Sequence, residues 1–100
     1  MKLKASARLQ VTAGSDDVRS LAIKTFGADI YFDPPSGVLI QGTEPVMWLC
    51  GDHTPQQLDY FTKTLDANSS RYKVSYVMPD KSHGSDSIKV CFFKGYSPTR

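Results

Sequence analysis

The stretch from Thr54 to Leu65, TPQQLDYFTKTL, carries the strongest structural signal in the sequence. Thr54 is a favoured helix N-cap, Pro55 suits the first helical position, and Gln57 completes a capping box. The apolar side chains that follow recur at helical spacing, at Leu58, Phe61 and Leu65. The pattern predicts an amphipathic helix that ends at the turn Asn68-Ser69-Ser70.

Outward from this helix, apolar and polar residues alternate with a period of two, which is typical of half-buried strands. The alternating segments are residues 2–12, 71–78 and 87–93. Three shorter apolar runs, at 28–32, 38–41 and 46–50, are further strand candidates. We expect the first two of these runs to pair as a hairpin around the turn Asp33-Pro34-Pro35-Ser36-Gly37, and 71–93 to form a second hairpin. A second helix is predicted between Ser15 and Gly27.

This order of elements predicts an α+β fold with a mainly antiparallel sheet of four to six strands and two helices packed on one face. The nearest simple topology is a ferredoxin-like β-α-β-β-α-β core with additional strands. A chain of 100 residues suits one domain, so we expect a single α+β domain over 1–100, with 94–100 as a flexible tail. An exposed edge strand would also allow a homodimer by sheet-edge pairing.

Composition places the chain among ordinary globular proteins, with 40% hydrophobic and 22% charged residues. No apolar run of signal-peptide length follows Met1, and none approaches the roughly 18 residues that span a bilayer. We therefore expect a cytoplasmic protein with no membrane contact, in which Cys50 and Cys91 are free thiols.

Charge is unevenly distributed along a chain whose net charge is only +2. Residues 1–12 carry three basic and no acidic groups, residues 13–70 three basic and eight acidic, and residues 71–100 six basic and two acidic. The polar faces of the predicted outer strands carry Lys2, Lys4, Arg8, Arg71, Lys73 and Lys89. If these strands are neighbours, they form a basic stripe, which predicts single-stranded nucleic-acid binding as one alternative function.

Motifs for catalysis are absent from the sequence. There is no phosphate-binding glycine loop and no nucleophile elbow, so we expect a protein that is not an enzyme and needs no metal or cofactor. The segment Cys50-Gly51-Asp52-His53 is the exception, because Cys and His at this spacing could form half of a zinc site or activate a thiol. A cysteine- or metal-dependent enzyme centred on Cys50 and His53 is therefore a second alternative.

Aromatic residues support the leading hypothesis, which is a non-catalytic interaction protein that docks on a larger protein or nucleoprotein complex. The chain has eleven aromatic residues, more than the buried face of one small core requires. Tyr31, Trp48 and Tyr60 are the candidate protein-binding anchors, since exposed Tyr and Trp commonly carry binding energy. The size and the missing motifs fit a small inhibitor or accessory protein of viral or mobile-element origin that acts on a host system.

Overall fold

A computed structural model describes residues 9–10 and 13–93 of the chain. The strands are β1 (Leu9–Gln10), β2 (Tyr31–Asp33), β3 (Val38–Gln41), β4 (Glu44–Cys50), β5 (Val74–Pro79) and β6 (Ile88–Phe92), and the helices are α1 (Ala13–Phe26), α2 (Pro55–Ala67) and α3 (Ser69–Tyr72). The strands form one antiparallel sheet in the order β1-β3-β4-β6-β5, with β2 also paired to β4. The predicted α+β class, with a mainly antiparallel sheet, is confirmed.

Helix α2 begins as the sequence predicts. The Thr54 hydroxyl accepts the backbone N–H of Gln57 at 3.1 Å, and the Gln57 side chain accepts the backbone N–H of Thr54 at 2.8 Å. The helix buries Phe61 and Leu65 against the sheet. The sequence predicts this helix start correctly because the two residues of the capping box, Thr54 and Gln57, lie within one helical turn of each other.

The strand predicted from residue 71 begins three residues later. The backbone carbonyl of Asn68 accepts the N–H groups of Arg71 and Tyr72, so the chain makes another helical turn, α3, before β5. Lys73 then takes a left-handed conformation, with φ of 62°, and redirects the chain. The alternation of residues 71–73 was therefore misleading, because local hydrogen bonds favoured the helical turn.

The predicted hairpin between residues 28–32 and 38–41 is wrong. Strands β2 and β3 both pair antiparallel with β4, one after the other along the same edge, and residues 34–37 form an excursion between them. The chain reverses instead at Gly42-Thr43, a two-residue turn between the paired residues Gln41 and Glu44. Gly42 has a φ of +66°, which suits the first central position of a hairpin turn and which glycine adopts without strain.

The helices cover one face of the sheet, as predicted. The main core contains Val18 and Leu21 from α1, Phe61 from α2, and Met47 and Val90 from the centre of the sheet, all with little or no exposure. Strand β4, whose status was open in the sequence, lies in the middle and pairs with three other strands. Its apolar run is buried on both sides, which explains why it does not alternate.

The strand order differs from the ferredoxin-like arrangement. Strands β1 and β2, which α1 connects, run antiparallel to each other, because β1 is antiparallel to β3 and because β2 and β3 are both antiparallel to β4. A β-α-β unit of the ferredoxin-like core would instead join parallel strands through its helix. Within the described residues, β5 pairs only with β6 and forms one edge of the sheet. A bulge between Val74 and Tyr76 interrupts this edge strand, and Pro79 ends it. Both features hinder pairing with another chain, so the predicted edge-to-edge homodimer gains no support at β5.

Candidate functional site

The face of the sheet turned away from the helices is the second surface that the fold creates, and we call it the outer face. Strand register assigns its residues: Leu39, Val46, Cys91 and Tyr76 form one row across the sheet, Asp33, Trp48, Lys89 and Met78 the next, and Tyr31 and Cys50 a third. At its centre Val46, Trp48, Cys50 and Cys91 form a second small buried cluster. Alternation along β4 places Glu44 on this face as well.

Large apolar side chains are exposed mainly on the outer face. Among the described side chains, seven large hydrophobic residues are exposed: Ile23, Tyr31, Leu39, Tyr60, Tyr76, Met78 and Phe93. Four of the seven lie in the rows defined above, and Phe93 follows β6 with the parity of Cys91. Only Ile23 and Tyr60 belong to the helical layer. A sheet face with this concentration of apolar groups differs from singly scattered surface residues.

The loop after β5 folds back over Trp48. The His83 imidazole stacks on the indole with ring centroids 4.0 Å apart and an interplanar angle of 16°. The His83 Nε2 and a carboxylate oxygen of Asp33 are 2.9 Å apart, and the Nδ1 and the Ser82 hydroxyl are 3.0 Å apart. The indole N–H of Trp48 donates to Asp80 at 3.0 Å. The single tryptophan of the chain is therefore covered by an imidazole and bordered by two carboxylates.

Asp80 is held in its ionised form by this arrangement. The hydrogen bond from the Trp48 indole, followed by those from the backbone and side chain of Ser82, lowers the pKa of Asp80 to about 2. Because Asp80 is only partly buried, its charge also acts on groups that approach from solution.

A second cluster of polar side chains on the outer face consists of Glu44, Tyr76 and Cys91. The Tyr76 hydroxyl donates to Glu44 at 3.2 Å, and the Cys91 thiol donates to the same oxygen at 3.4 Å. The Cys91 thiol, followed by burial and the Glu44 carboxylate, raises the pKa of Tyr76 to about 12. Burial raises the pKa of Cys91, so this thiol stays protonated and is a poor nucleophile.

The three predicted protein-binding anchors do not lie together. Tyr31 is 62% exposed on the outer face, whereas Tyr60 is 55% exposed in the helical layer, beside a groove of about 380 Å³ between α1 and α2. Trp48 is only 2% exposed, so the expectation that it is exposed is wrong. The run 46–50 is a strand candidate whose position in the sheet the sequence leaves open; β4 is central, and the loop that carries His83 covers the ring.

The predicted basic stripe is only partly within the described residues. Lys2, Lys4 and Arg8 lie outside them. Lys89 lies on the outer face, as the prediction requires. Lys73 precedes β5 at the end of α3, and Arg71 pairs with Asp17 of α1 at 3.6 Å, so the strand on which both were expected does not include them. Within residues 13–93 the structure therefore shows no basic stripe. Lys89 shares its row with Asp33, and it lies near enough to Asp80 to help lower the pKa of that carboxylate.

Cys50 and His53 occupy different surroundings. Cys50 is buried in the outer-face cluster, where its sulfur accepts a long hydrogen bond from the Ser87 hydroxyl at 3.8 Å. His53 instead packs its ring edge-on against Phe26 of α1, with centroids 5.8 Å apart. Among the described residues, no group of three or more His, Cys, Asp or Glu side chains could hold a metal ion. Cys91 lies two rows from Cys50, and both are free thiols.

Sequence reasoning missed the His83 site. Residues 79–86 read as a polar loop, and nothing in the sequence indicates that His83 meets Asp33, which is fifty positions away and sits in a turn signal. Only the pairing of β2 with β4 brings Asp33 beside Trp48.

Comparison with models of protein families, with curated proteins and with solved structures finds no significant match for this chain. Within the described residues, no helix is both long enough and apolar enough to cross a membrane.

Proposed function

We propose that this protein is a non-catalytic interaction module that binds a partner protein through the outer face of its sheet. The observation that carries the proposal is the concentration of exposed apolar side chains on that face, where Tyr31, Tyr76 and Met78 surround a buried centre. Aromatic and methionine side chains are enriched at the centres of protein interfaces, and a rigid sheet presents them at little entropic cost.

The charges of the outer face favour a basic partner. Asp33, Glu44 and Asp80 border the apolar rows, and Lys89 is the one basic side chain among the described residues of those rows. A partner surface with apolar side chains and a basic rim would complement this pattern and would associate faster at low salt. The same carboxylates would repel the phosphates of a nucleic acid, so the partner we propose is a protein.

The surroundings of the thiols support binding rather than catalysis. Cys91 is held protonated by burial, and Cys50 has no basic side chain among its hydrogen-bond partners. The rows that separate the two cysteines also keep them too far apart for a disulfide, which suits a reducing compartment. We therefore propose that the module works in the cytoplasm.

Site-specific photo-cross-linking in extracts of the native host tests the proposed surface. A photoreactive amino acid at Met78 should form a discrete cross-linked product, because this side chain is 45% exposed on the outer face, on the edge strand β5. The matched control is the same amino acid at Ile23, which is 46% exposed on α1. Equal exposure removes collision frequency as an explanation, so cross-linking must depend on which face the partner touches.

Once the partner protein captured by cross-linking has been purified, calorimetry measures its affinity for the wild-type protein and for the variants. Met78→Lys should weaken binding by at least about tenfold, because it places a cation in an apolar contact facing a basic surface. Ile23→Lys should leave the affinity unchanged. Cross-linking that is as strong from Ile23 as from Met78, or a Met78→Lys variant with wild-type affinity, would contradict the assignment of the outer face.

A further inference from the structure

Trp48, Asp33 and Asp80 form a site whose occupant in the free protein is a side chain of the same chain. The His83 ring lies flat on the Trp48 indole at 4.0 Å, and its Nε2 meets the Asp33 carboxylate at 2.9 Å. A planar group on an aromatic face, with its edge N–H directed at a carboxylate, is also how proteins bind a guanidinium ion. The geometry points to a binding site for an arginine side chain of a partner protein, which would replace His83 on Trp48.

The fixed parts of this site belong to the rigid part of the fold. Trp48 lies in the central strand, and its indole N–H is anchored on Asp80 at 3.0 Å. Asp33 ends β2 opposite Trp48 in the ladder, and its carboxylate remains more than half exposed. The aromatic surface and the carboxylate would therefore remain in place if the imidazole left, so the site would not need to be rebuilt for another ligand.

The imidazole belongs to a part of the chain that is weakly held. Residues Lys81–Asp86 are exposed apart from His83 itself. The backbone of this segment is joined by single hydrogen bonds within the loop, such as Gly84 N–H to the Lys81 carbonyl at 3.2 Å and Ser87 N–H to the Gly84 carbonyl at 3.3 Å. Loops with few buried apolar contacts open at low free-energy cost, so a competing side chain could displace His83.

Arginine fits this site better than lysine does. Its guanidinium is planar and weakly hydrated, so it can stack on the indole while it donates to a carboxylate from its edge. An ammonium group is compact and strongly hydrated, and it cannot reproduce the flat contact that His83 makes. Asp80, which stays ionised beside the indole, adds a second negative charge to the site. This inference deepens the proposed function by naming the chemistry of one partner contact, and it rests on that function for its biological role.

The single tryptophan provides a direct readout, since all indole fluorescence comes from Trp48. The probe is a blocked Gly-Arg-Gly tripeptide, titrated into the wild-type protein and into His83→Ala. Removing the competing imidazole should strengthen binding of the probe by about tenfold, because the probe no longer has to displace a ring that is stacked on Trp48 and in contact with Asp33. Adding Asp33→Asn to His83→Ala should reverse most of this gain.

Two matched probes separate arginine recognition from general attraction. The tripeptide with citrulline in place of arginine has nearly the same shape but no charge, and the tripeptide with lysine keeps the charge but not the plane. Both should bind His83→Ala at least about tenfold more weakly than the arginine probe. Equal binding of all three probes, or no saturable fluorescence change with His83→Ala, would overturn the inference.

Two further measurements check that His83→Ala folds and test the site in the wild-type protein. Thermal unfolding of His83→Ala monitors its folding, and the NMR signal of the Trp48 indole N–H in the wild-type protein gives a second readout that needs no substitution. A shift of that signal on addition of the arginine probe supports the site, and an unchanged signal at saturating probe overturns it. Because these probes need no partner, a negative result would leave cross-linking from Met78, and with it the proposed function, unaffected.

Discussion

At the scale of single residues, Arg19 shows how a buried charge organises this fold. It is only 8% exposed, and its Nη2 donates to the carbonyls of Pro34 and Gly37 at 2.9 and 2.7 Å. The guanidinium also lies 5.5 Å from the centre of the Phe32 ring. Burial lowers the pKa of Arg19, and Asp16 partly offsets this effect. Arg19 therefore fastens the excursion between β2 and β3 to helix α1, and it positions Asp33 at the outer face.

Replacing this side chain tests the fastening role. Arg19→Met should lower the free energy of unfolding by about 1–3 kcal/mol, because two buried carbonyls lose their donor while an incompletely paired charge is also removed. Urea denaturation measures the change. Arg71→Met is the matched control, since Arg71 is exposed and pairs with Asp17 only at 3.6 Å, and it should change the stability by less than about 0.5 kcal/mol. Similar losses in both variants would show that Arg19 makes no special contribution.

Residue roles were the least predictable level from sequence. The exposure of Tyr31 and Tyr60 was foreseen because each flanks residues that a core requires. The burial of Trp48 was not, since it depends on a loop some thirty-five positions later in the chain. Nothing in the sequence indicated the role of Arg19. Its partners, such as the Pro34 carbonyl, lie in a distant loop that only the tertiary fold brings to helix α1.

At the scale of elements, signals contained within one turn of chain were reliable, whereas the pairing predictions divided: the hairpin within residues 71–93 is confirmed by the pairing of β5 with β6, and the hairpin within 28–41 is wrong. The capping box that begins at Thr54 specifies its own hydrogen bonds, so α2 begins where the sequence indicates. The turn signal at Asp33–Gly37 is equally strong, but it reports only that the chain bends. Whether the flanking strands pair with each other or with a third strand depends on β4, which follows later in the sequence.

The capping box allows a test at the element scale. Thr54→Ala should lower the free energy of unfolding by about 1 kcal/mol, because the backbone N–H of Gln57 loses its acceptor at the helix start. Thr62→Ala is the control within the same helix, where the hydroxyl only returns to the Asp59 carbonyl and alanine has the higher helix propensity. Thermal unfolding of both variants measures the contrast. An equal loss of stability in the two would contradict the role of the cap.

At the scale of the whole molecule, the described fold and the chain ends differ in their balance of basic and acidic residues. Residues 13–93 carry seven basic and ten acidic side chains, whereas residues 1–12 and 94–100 together carry five basic and no acidic ones. The sequence alone suggested that the basic groups of both ends would meet on one sheet face. In the described fold Lys89 is instead accompanied by carboxylates, because strand register places Asp33 in its row and the hydrogen bond from Trp48 holds Asp80 beside that row.

This distribution predicts how the chain behaves toward single-stranded nucleic acid. Fluorescence anisotropy with labelled oligothymidylate should show no saturable binding below about 10 µM protein at physiological salt, because phosphates approaching the outer face meet three carboxylates. Any weak binding at low salt should survive Lys89→Glu and disappear in the triple variant Lys2→Glu, Lys4→Glu, Arg8→Glu, since residues 1–12 carry three basic groups and no acidic ones. Tight, salt-dependent binding that Lys89→Glu abolishes would instead establish the outer face as a nucleic-acid surface. A protein partner would then be the weaker explanation for the exposed aromatic residues, because the same side chains would stack on bases.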